Sequence, residues 1–191
     1  TWDDAPATIT KLCQSLKVGA VHVNTEYGVH ESQRDTSVAT QLAEQGTALH
    51  SHCDRLLFQP GSILTQTGSY FKVFSQFRKV CYQRLYQHTP ACAAAPQQQA
   101  PLPIPADTVS TEVNGFPPVD AKLQAHWPAG ENSAHQRLSR FASNAIDDYA
   151  HLRDFPDQAG TSQLSPYLAA GVLSIRQCLH AALAANQGEI D

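Results

Sequence analysis

The chain has 191 residues, 42% hydrophobic and 16% charged, a composition that supports a buried core and excludes collagen, coiled-coil and wholly disordered readings. Thirteen Lys and Arg against 17 Asp and Glu give a formal charge of -4, which excludes a basic whole-chain footprint for nucleic acid and leaves only local patches. Five cysteines, Cys13, Cys53, Cys81, Cys92 and Cys178, are odd in number and scattered, as expected of reduced thiols in a cytoplasmic protein. No apolar run of about 18 residues exists and the N-terminus lacks a basic, apolar leader, so neither membrane spanning nor secretion is expected. Methionine is absent, position 1 included, which reads as a processed or excised piece of a longer chain.

Over residues 8–16, Ile9, Leu12, Cys13 and Leu16 fall on one helical face, and residues 18–24 are short, β-branched and strand-like. A helix is expected over 31–44, with Val38 and Leu42 at i and i+4 and Gly46 as C-cap, before residues 47–53 return as a strand. Strand, helix, strand is a βαβ unit, which implies parallel pairing. A doubly wound sheet needs more strands, so the α/β domain reads as incomplete on its N-terminal side.

After the turn at Gln59, Pro60 and Gly61, residues 70–86 interleave aromatics with Lys72, Arg78, Lys79 and Arg84 and contain no acid. This is a locally basic helix whose aromatics suit a core better than a nucleic acid. Residues 89–128 hold eight of the twelve prolines, so no regular core element is expected there and the stretch reads as a surface linker.

The pattern then becomes helical. Ser133 and Gln136 can form a capping box for a helix carrying Leu138, Phe141, Ala145, Tyr149 and Leu152 to about Arg153, where Asp154, Phe155 and Pro156 stop it. Ser165 is a natural N-cap, with Pro166 opening a short helix through Val172. Ser174 with Gln177 opens a last helix whose Leu179 and Leu183 face inward, with Gly188 beyond its end. The expected organisation is a partial α/β domain over 1–58, a basic helix and Pro-rich linker over 59–130, and a helical domain over 131–191.

Gly160, Thr161, Ser162 and Ser165 place hydroxyls and free backbone N–H groups before a helix start, a setting that serves a phosphate or plain helix capping. Tyr149 reaches the same turn if the chain folds back at residues 154–156, and is otherwise a core tyrosine. Arg153, beside Asp154, serves a DNA phosphate or a surface ion pair, of which the ion pair is the simpler. His50, His52 and Cys53 are the densest group of metal-ligating types. Neighbouring strand residues face opposite ways, however, and no second pair stands at finger spacing, so no metal is expected. Walker A, GxSxG and GxGxxG patterns are absent.

In order and spacing, Arg153-Asp154-Phe155-Pro156, Gly160-Thr161-Ser162-Gln163-Leu164-Ser165 and Gly171-Val172-Leu173-Ser174-Ile175-Arg176-Gln177-Cys178 resemble the opening of the FAD-binding domain in the DNA photolyase/cryptochrome family. The likeness is closest to bacterial class I cyclobutane pyrimidine dimer photolyases. Upstream, Glu31-Ser32-Gln33-Arg34-Asp35 resembles the ERxRD segment of the family's antenna domain, and residues 70–77 resemble its KVFTPF segment.

The resemblance implies an α/β plus all-α fold: the C-terminal half of a doubly wound parallel-sheet antenna domain, a long Pro-rich linker, and the first helices of a helical FAD-binding domain. It implies that Tyr149, Thr161, Ser162, Leu164 and Ser165 help hold FAD, chiefly its phosphates. Arg153 would touch the DNA backbone, and Glu31 would bind a 5,10-methenyltetrahydrofolate antenna. His30 stands where the family has Asn, Gln163 where it has Arg or Lys, removing one cation near the flavin phosphates, and Gln76 and Ile175 where it has Pro.

The implied activity is that of a deoxyribodipyrimidine photolyase, a DNA-repair lyase. Reduced FAD, excited by blue light directly or through the antenna, gives an electron to a flipped-out pyrimidine dimer in UV-damaged DNA, whose ring splits before the electron returns. Family members are much longer, and Trp2 and Trp127 do not match their tryptophan electron chain, so the piece alone is expected to be inactive and to hold FAD weakly at most. A bacterial, cytoplasmic, monomeric parent is expected, while the open sheet edge of the piece allows pairing between copies. A cryptochrome, a blue-light photoreceptor of the same fold, is the alternative; a non-enzymatic α/β interaction domain with a helical appendage is the third reading.

Overall fold

Two units divide the chain: residues up to His88 with Ser174–Arg176, and residues from Thr89 to Leu173 with those from Gln177 onward. The structure, a computed structural model, describes residues 4–101, 104, 108, 110 and 115–190. Trp2 and part of the Pro-rich stretch, at 102–103, 105–107, 109 and 111–114, lie outside the described residues.

In the first unit, α1 (Ala5–Leu16) places Pro6 in its first turn, where a missing N–H costs nothing. It closes on Lys17, a non-glycine in the left-handed region at φ 53°, whose N–H donates to the Cys13 carbonyl. Then follow β1 (Ala20–Asn24), α2 (Val29–Glu44) and β2 (Ala48–His52). The strands pair in parallel from Ala20 opposite Ala48 to Asn24 opposite His52, the arrangement the βαβ pattern implies. Gly46, at φ 74°, ends α2 as expected: its N–H donates to the Ala43 carbonyl at 3.0 Å and the Thr47 N–H to the Leu42 carbonyl at 3.0 Å, a Schellman turn.

Cys13, Val38 and Leu42 form the core, with Ile9, Val18, Val21 and Leu49 packed around them. Leu12 and Leu16, expected on the buried face of α1, are exposed. The helix packs chiefly on α2, and the row of Ile9 and Cys13, one turn apart, fills that contact. Ser174–Arg176 are tied to β2's end: Arg176 Nη1 donates to Asp54 Oδ1 at 2.8 Å and Nη2 to the Cys53 carbonyl at 2.6 Å.

The basic helix is shorter than its pattern. α3 (Phe74–Gln87) starts after an extended Val73, and only Leu85 is buried in it. Tyr70, Phe74 and Phe77 are exposed, so the expectation that these aromatics fill a core does not hold. Phe71 and Phe77 instead meet each other edge to face at 6.2 Å, and Arg78 lies 6.0 Å over the Tyr82 ring.

The second unit opens with the one regular element described in the Pro-rich stretch, α4 (Ala121–His126), which has no buried residue. Asp120 caps it, its carboxylate accepting from the Lys122 and Leu123 N–H groups at 2.8 and 3.3 Å. The long helix expected to run to Arg153 is broken. α5 (Glu131–Asn144) stops where the Ala145 and Ile146 N–H groups both turn to the Phe141 carbonyl, and α6 (Tyr149–Leu152) restarts after two adjacent aspartates. Acids oppose the dipole at a helix C-terminus, so residues 147–148 suit the break better than a continuation. Ser133 is not a cap either: Gly130 holds that position and the Ser133 hydroxyl donates back to the Ala129 carbonyl at 3.2 Å.

α7 (Ser165–Ala169) is a residue out of phase with its expected cap, because Leu164 is the N-cap and Ser165 already helical. It ends at Ala169, earlier than expected, because Gly171 at φ 71° sends its N–H to the Leu168 carbonyl and the Val172 N–H reaches the Tyr167 carbonyl. α8 (Ile175–Ala185) is capped as expected by Ser174, whose Oγ accepts the Arg176 N–H at 3.2 Å. Ala134, Leu138, Leu164, Tyr167 and Leu173 make the core of this unit. No described helix is long and apolar enough to cross a membrane.

Candidate functional site

The chain folds back after α6, and what holds it there is a missing side chain. Gly160 is buried against Leu152, and a Cβ added to it would stand 2.8 and 2.9 Å from the Leu152 carbonyl carbon and oxygen. The turn from Gly160 to Ser165 therefore lies against α6, the helix that Tyr149 begins. Leu164 anchors the far end of the turn in the core, where its side chain is 5% exposed. Only its backbone is left to meet a ligand.

Between these anchors, Gln163 adopts a left-handed φ of 52°, unusual for a residue with a side chain. Three groups hold it. The Trp127 indole N–H donates to the Gln163 carbonyl at 3.0 Å, His126 Nε2 lies 2.7 Å from Gln163 Oε1, and Arg137 Nη1 donates to the same oxygen at 3.1 Å. Arg137 Nη2 donates to the His126 carbonyl, and the Tyr167 hydroxyl to the Pro128 carbonyl at 2.9 Å. The position read from sequence as one cation fewer is thus an amide that a guanidinium grips.

Thr161 and Ser165 are exposed and Ser162 half-buried, and their hydroxyls bond to no other described side chain or backbone group. Residues 158–166 contain no carboxylate. Free hydroxyls, an adjacent cation and no acid suit an anionic group such as a diphosphate. The dipole contribution expected from the following helix is small, because α7 has only five residues.

Tyr149 is half-exposed, its ring edge-on to Phe141 at 6.1 Å, with the Arg153 guanidinium 5.8 Å over its face. Arg153 is exposed and 3.8 Å from Asp154, a loose surface pair of little energetic weight.

Glu31 belongs to the first unit. In the first turn of α2, its carboxylate bends back over the α2 N-terminus into the space that a side chain at Gly28 would need. It stands apart from the nearby network in which Arg34 bridges Glu26 at 3.1 Å and Asp35 at 2.7 Å while Arg55 binds Glu26 at 3.0 Å. The bonds to Asp35 and Glu26 hold the Arg34 guanidinium protonated beyond its ordinary range.

The histidines take a different arrangement from the one the sequence suggests. His22 stacks on His50 at 4.8 Å and on His52 at 5.2 Å, with Nδ1 2.9 Å from His52 Nε2, because all three share the sheet face turned away from α2. Among the described residues no three His, Cys, Asp or Glu side chains are arranged to hold a metal.

Sequence reasoning named Tyr149, Thr161, Ser162, Leu164 and Ser165 but missed His126, Trp127 and Arg137, which fix the turn from outside it. The signal for them was thin: an Asp120 cap before a short helix ending in an aromatic pair.

Comparison with known proteins gives one family. The profile of the family described as DNA photolyase matches residues 2–97. The deoxyribodipyrimidine photo-lyase of Escherichia coli (strain K12) is 32% identical over 186 residues, covering 96% of this chain and 38% of that protein. Its Salmonella typhimurium counterpart is 33% identical over 184 residues, with the same coverages of 96% and 38%. Among solved structures, a bacterial class III photolyase from Agrobacterium tumefaciens has a TM-score of 0.71 at 25% identity, over 95% of this chain and 39% of its own. A cryptochrome from Synechocystis sp. PCC6803 has a TM-score of 0.80 at 21% identity, over 97% of this chain and 40% of its own. The chain spans about two fifths of the length of these relatives.

Proposed function

Because this chain belongs to the DNA photolyase family, we propose that it is part of a deoxyribodipyrimidine photolyase, which repairs cyclobutane pyrimidine dimers in UV-damaged DNA under blue light. The observation that carries the reading is the identity of 32% and 33% to two bacterial photo-lyases across 96% of the chain. FAD bound at the Gly160 turn would supply the electron that opens the dimer.

The chain's own residues do the holding. Thr161, Ser162 and Ser165 offer hydroxyl donors to the phosphates of the dinucleotide, and the backbone around Leu164 stays rigid because its side chain is locked in the core. Tyr149 borders the same ligand from α6. Arg153, exposed on the rim, meets a DNA phosphate, a contact that positions without reading sequence. Glu31 faces the antenna folate. The protein works in the bacterial cytoplasm, a reading supported by five free cysteines and by the bacterial relatives. The fold alone is shared with a cryptochrome and does not separate repair from signalling.

The test uses the full-length protein that carries this chain. Blue-light-dependent repair of an oligonucleotide with one thymine dimer is measured while bound flavin is quantified. Repair is expected, with one FAD per chain, and substitution of Thr161, Ser162 and Ser165 by Ala is expected to lower the flavin content. Flavin without repair would favour a cryptochrome, and flavin content untouched by the three substitutions would favour an interaction domain.

A further inference from the structure

Arg137 sits in the middle of α5, half-buried, and has no counter-charge. Its Nη1 donates to Gln163 Oε1 at 3.1 Å and its Nη2 to the His126 carbonyl, both neutral oxygens. Three acids of the same unit have other partners: Glu131 lies 3.5 Å from His135, Asp154 pairs loosely with Arg153, and Asp120 caps α4. Among the described residues no carboxylate pairs with Arg137. A guanidinium carries a permanent charge and five N–H donors, so this one keeps donors to spare. A cation with spare donors and no internal anion is open to an anionic ligand, because charge-assisted hydrogen bonds to phosphate are stronger than those to neutral oxygens.

Gln163 is what brings this charge to the turn. Its left-handed backbone presents the amide oxygen to Arg137, while the Trp127 indole fixes its carbonyl. A residue without the amide would release the guanidinium, and a cation there would repel it. Around the same turn stand the three hydroxyls that bond to nothing else described.

We infer that Arg137 supplies the positive charge for the anionic group held at the Gly160 to Ser165 turn, the diphosphate of a flavin dinucleotide. This rests on the FAD reading above. Arg137 acts as a binding residue by charge, and Gln163 as the positioning residue that aims it.

The test is the affinity of the full-length, flavin-depleted protein for FAD, followed by quenching of flavin fluorescence over a range of NaCl concentrations. Arg137→Gln is expected to raise the Kd about tenfold at low salt and to flatten its salt dependence, since a charged hydrogen bond is lost. Arg137→Lys, which keeps the charge, is expected to recover most of the slope. Gln163→Glu leaves Arg137 in place and gives it an internal counter-ion, so it should weaken binding and flatten the slope in the same way. The melting temperature of the flavin-free form is followed alongside. An unchanged Kd and slope in Arg137→Gln and Gln163→Glu would overturn the inference. A weaker Kd with the wild-type slope would also overturn it, because that is the mark of a purely structural arginine. A wild-type protein that binds no FAD would instead remove the reading beneath it.

Discussion

Gly160 leaves no room for a side chain beside Leu152: a β-carbon on Gly160 would fall 2.8 Å from the Leu152 carbonyl carbon and 2.9 Å from its oxygen. Those atoms belong to a helix and cannot yield as a side-chain tip would. Gly160→Ala is therefore expected to destabilise the protein by about 2 kcal/mol and to lower its flavin content, because the turn must lift from α6. Urea unfolding with flavin absorbance checks both, and wild-type values for the two would remove the close approach as a cause of the turn's position.

Leu42 is fully buried in the first unit, whereas Leu12, on the neighbouring helix, is 52% exposed. Leu42→Ala is expected to cost about 2–5 kcal/mol and Leu12→Ala no more than about 0.5 kcal/mol. Denaturant midpoints of the two variants give the comparison. Equal losses would mean that α1 buries the wider face its sequence pattern suggests.

Two non-glycine residues share left-handed backbone and should respond oppositely to glycine. Lys17, φ 53°, uses only its backbone N–H at the end of α1, so Lys17→Gly is expected to stabilise by about 0.5 kcal/mol. Gln163, φ 52°, carries bonds to His126 and Arg137 on its side chain, so Gln163→Gly is expected to destabilise by about 1 kcal/mol despite the easier backbone. Thermal melts of both variants read the sign.

Burial pushes the Cys178 thiol above its ordinary range, while Cys92 is exposed. The folded state keeps the Cys178 proton where the unfolded chain has already lost it. The corresponding stability is complete below the unfolded thiol's pKa and is lost as pH rises through the folded one. Unfolding midpoints should fall in mildly alkaline buffer, less steeply in Cys178→Val. In alkylation followed by mass spectrometry at neutral pH, Cys92 should react before Cys178. An identical pH slope in the variant would assign the loss to other groups.

The βαβ unit was legible because Val38 and Leu42, Gly46 and the β-branched strand residues all favour the same structure, each by a local mechanism. The helical half was legible only in part. Its apolar period carries through residues 138–152, but period says nothing of Asp147 and Asp148, acids that suit the start of α6 better than the end of a longer helix. Ser133 and Ser165 are good caps by type, and lost the position to Gly130 and Leu164 because tertiary packing of Ala134 and Leu164 sets the helix phase. The hydroxyl turn was visible as a string of residues. Its outer support was not, since Trp127 and Arg137 reach Gln163 from 36 and 26 residues away. The aromatics of α3 misled for the opposite reason: helical spacing shows that they share a side, not that anything covers it.

The constant pairing offset between β1 and β2 makes length as restrictive as composition in this crossover. One residue inserted in α2 between its start and Val38 would turn everything beyond it by about 100° about the helix axis, carrying Val38 and Leu42 out of phase with the first turns of the helix. The same residue inserted at 25–28, or deleted there, leaves both the helical face and the strand alternation intact. Natural variation in the length of this protein's relatives should therefore gather in the connections before and after α2, and a gap placed inside the helix should mark an alignment error rather than an evolutionary event.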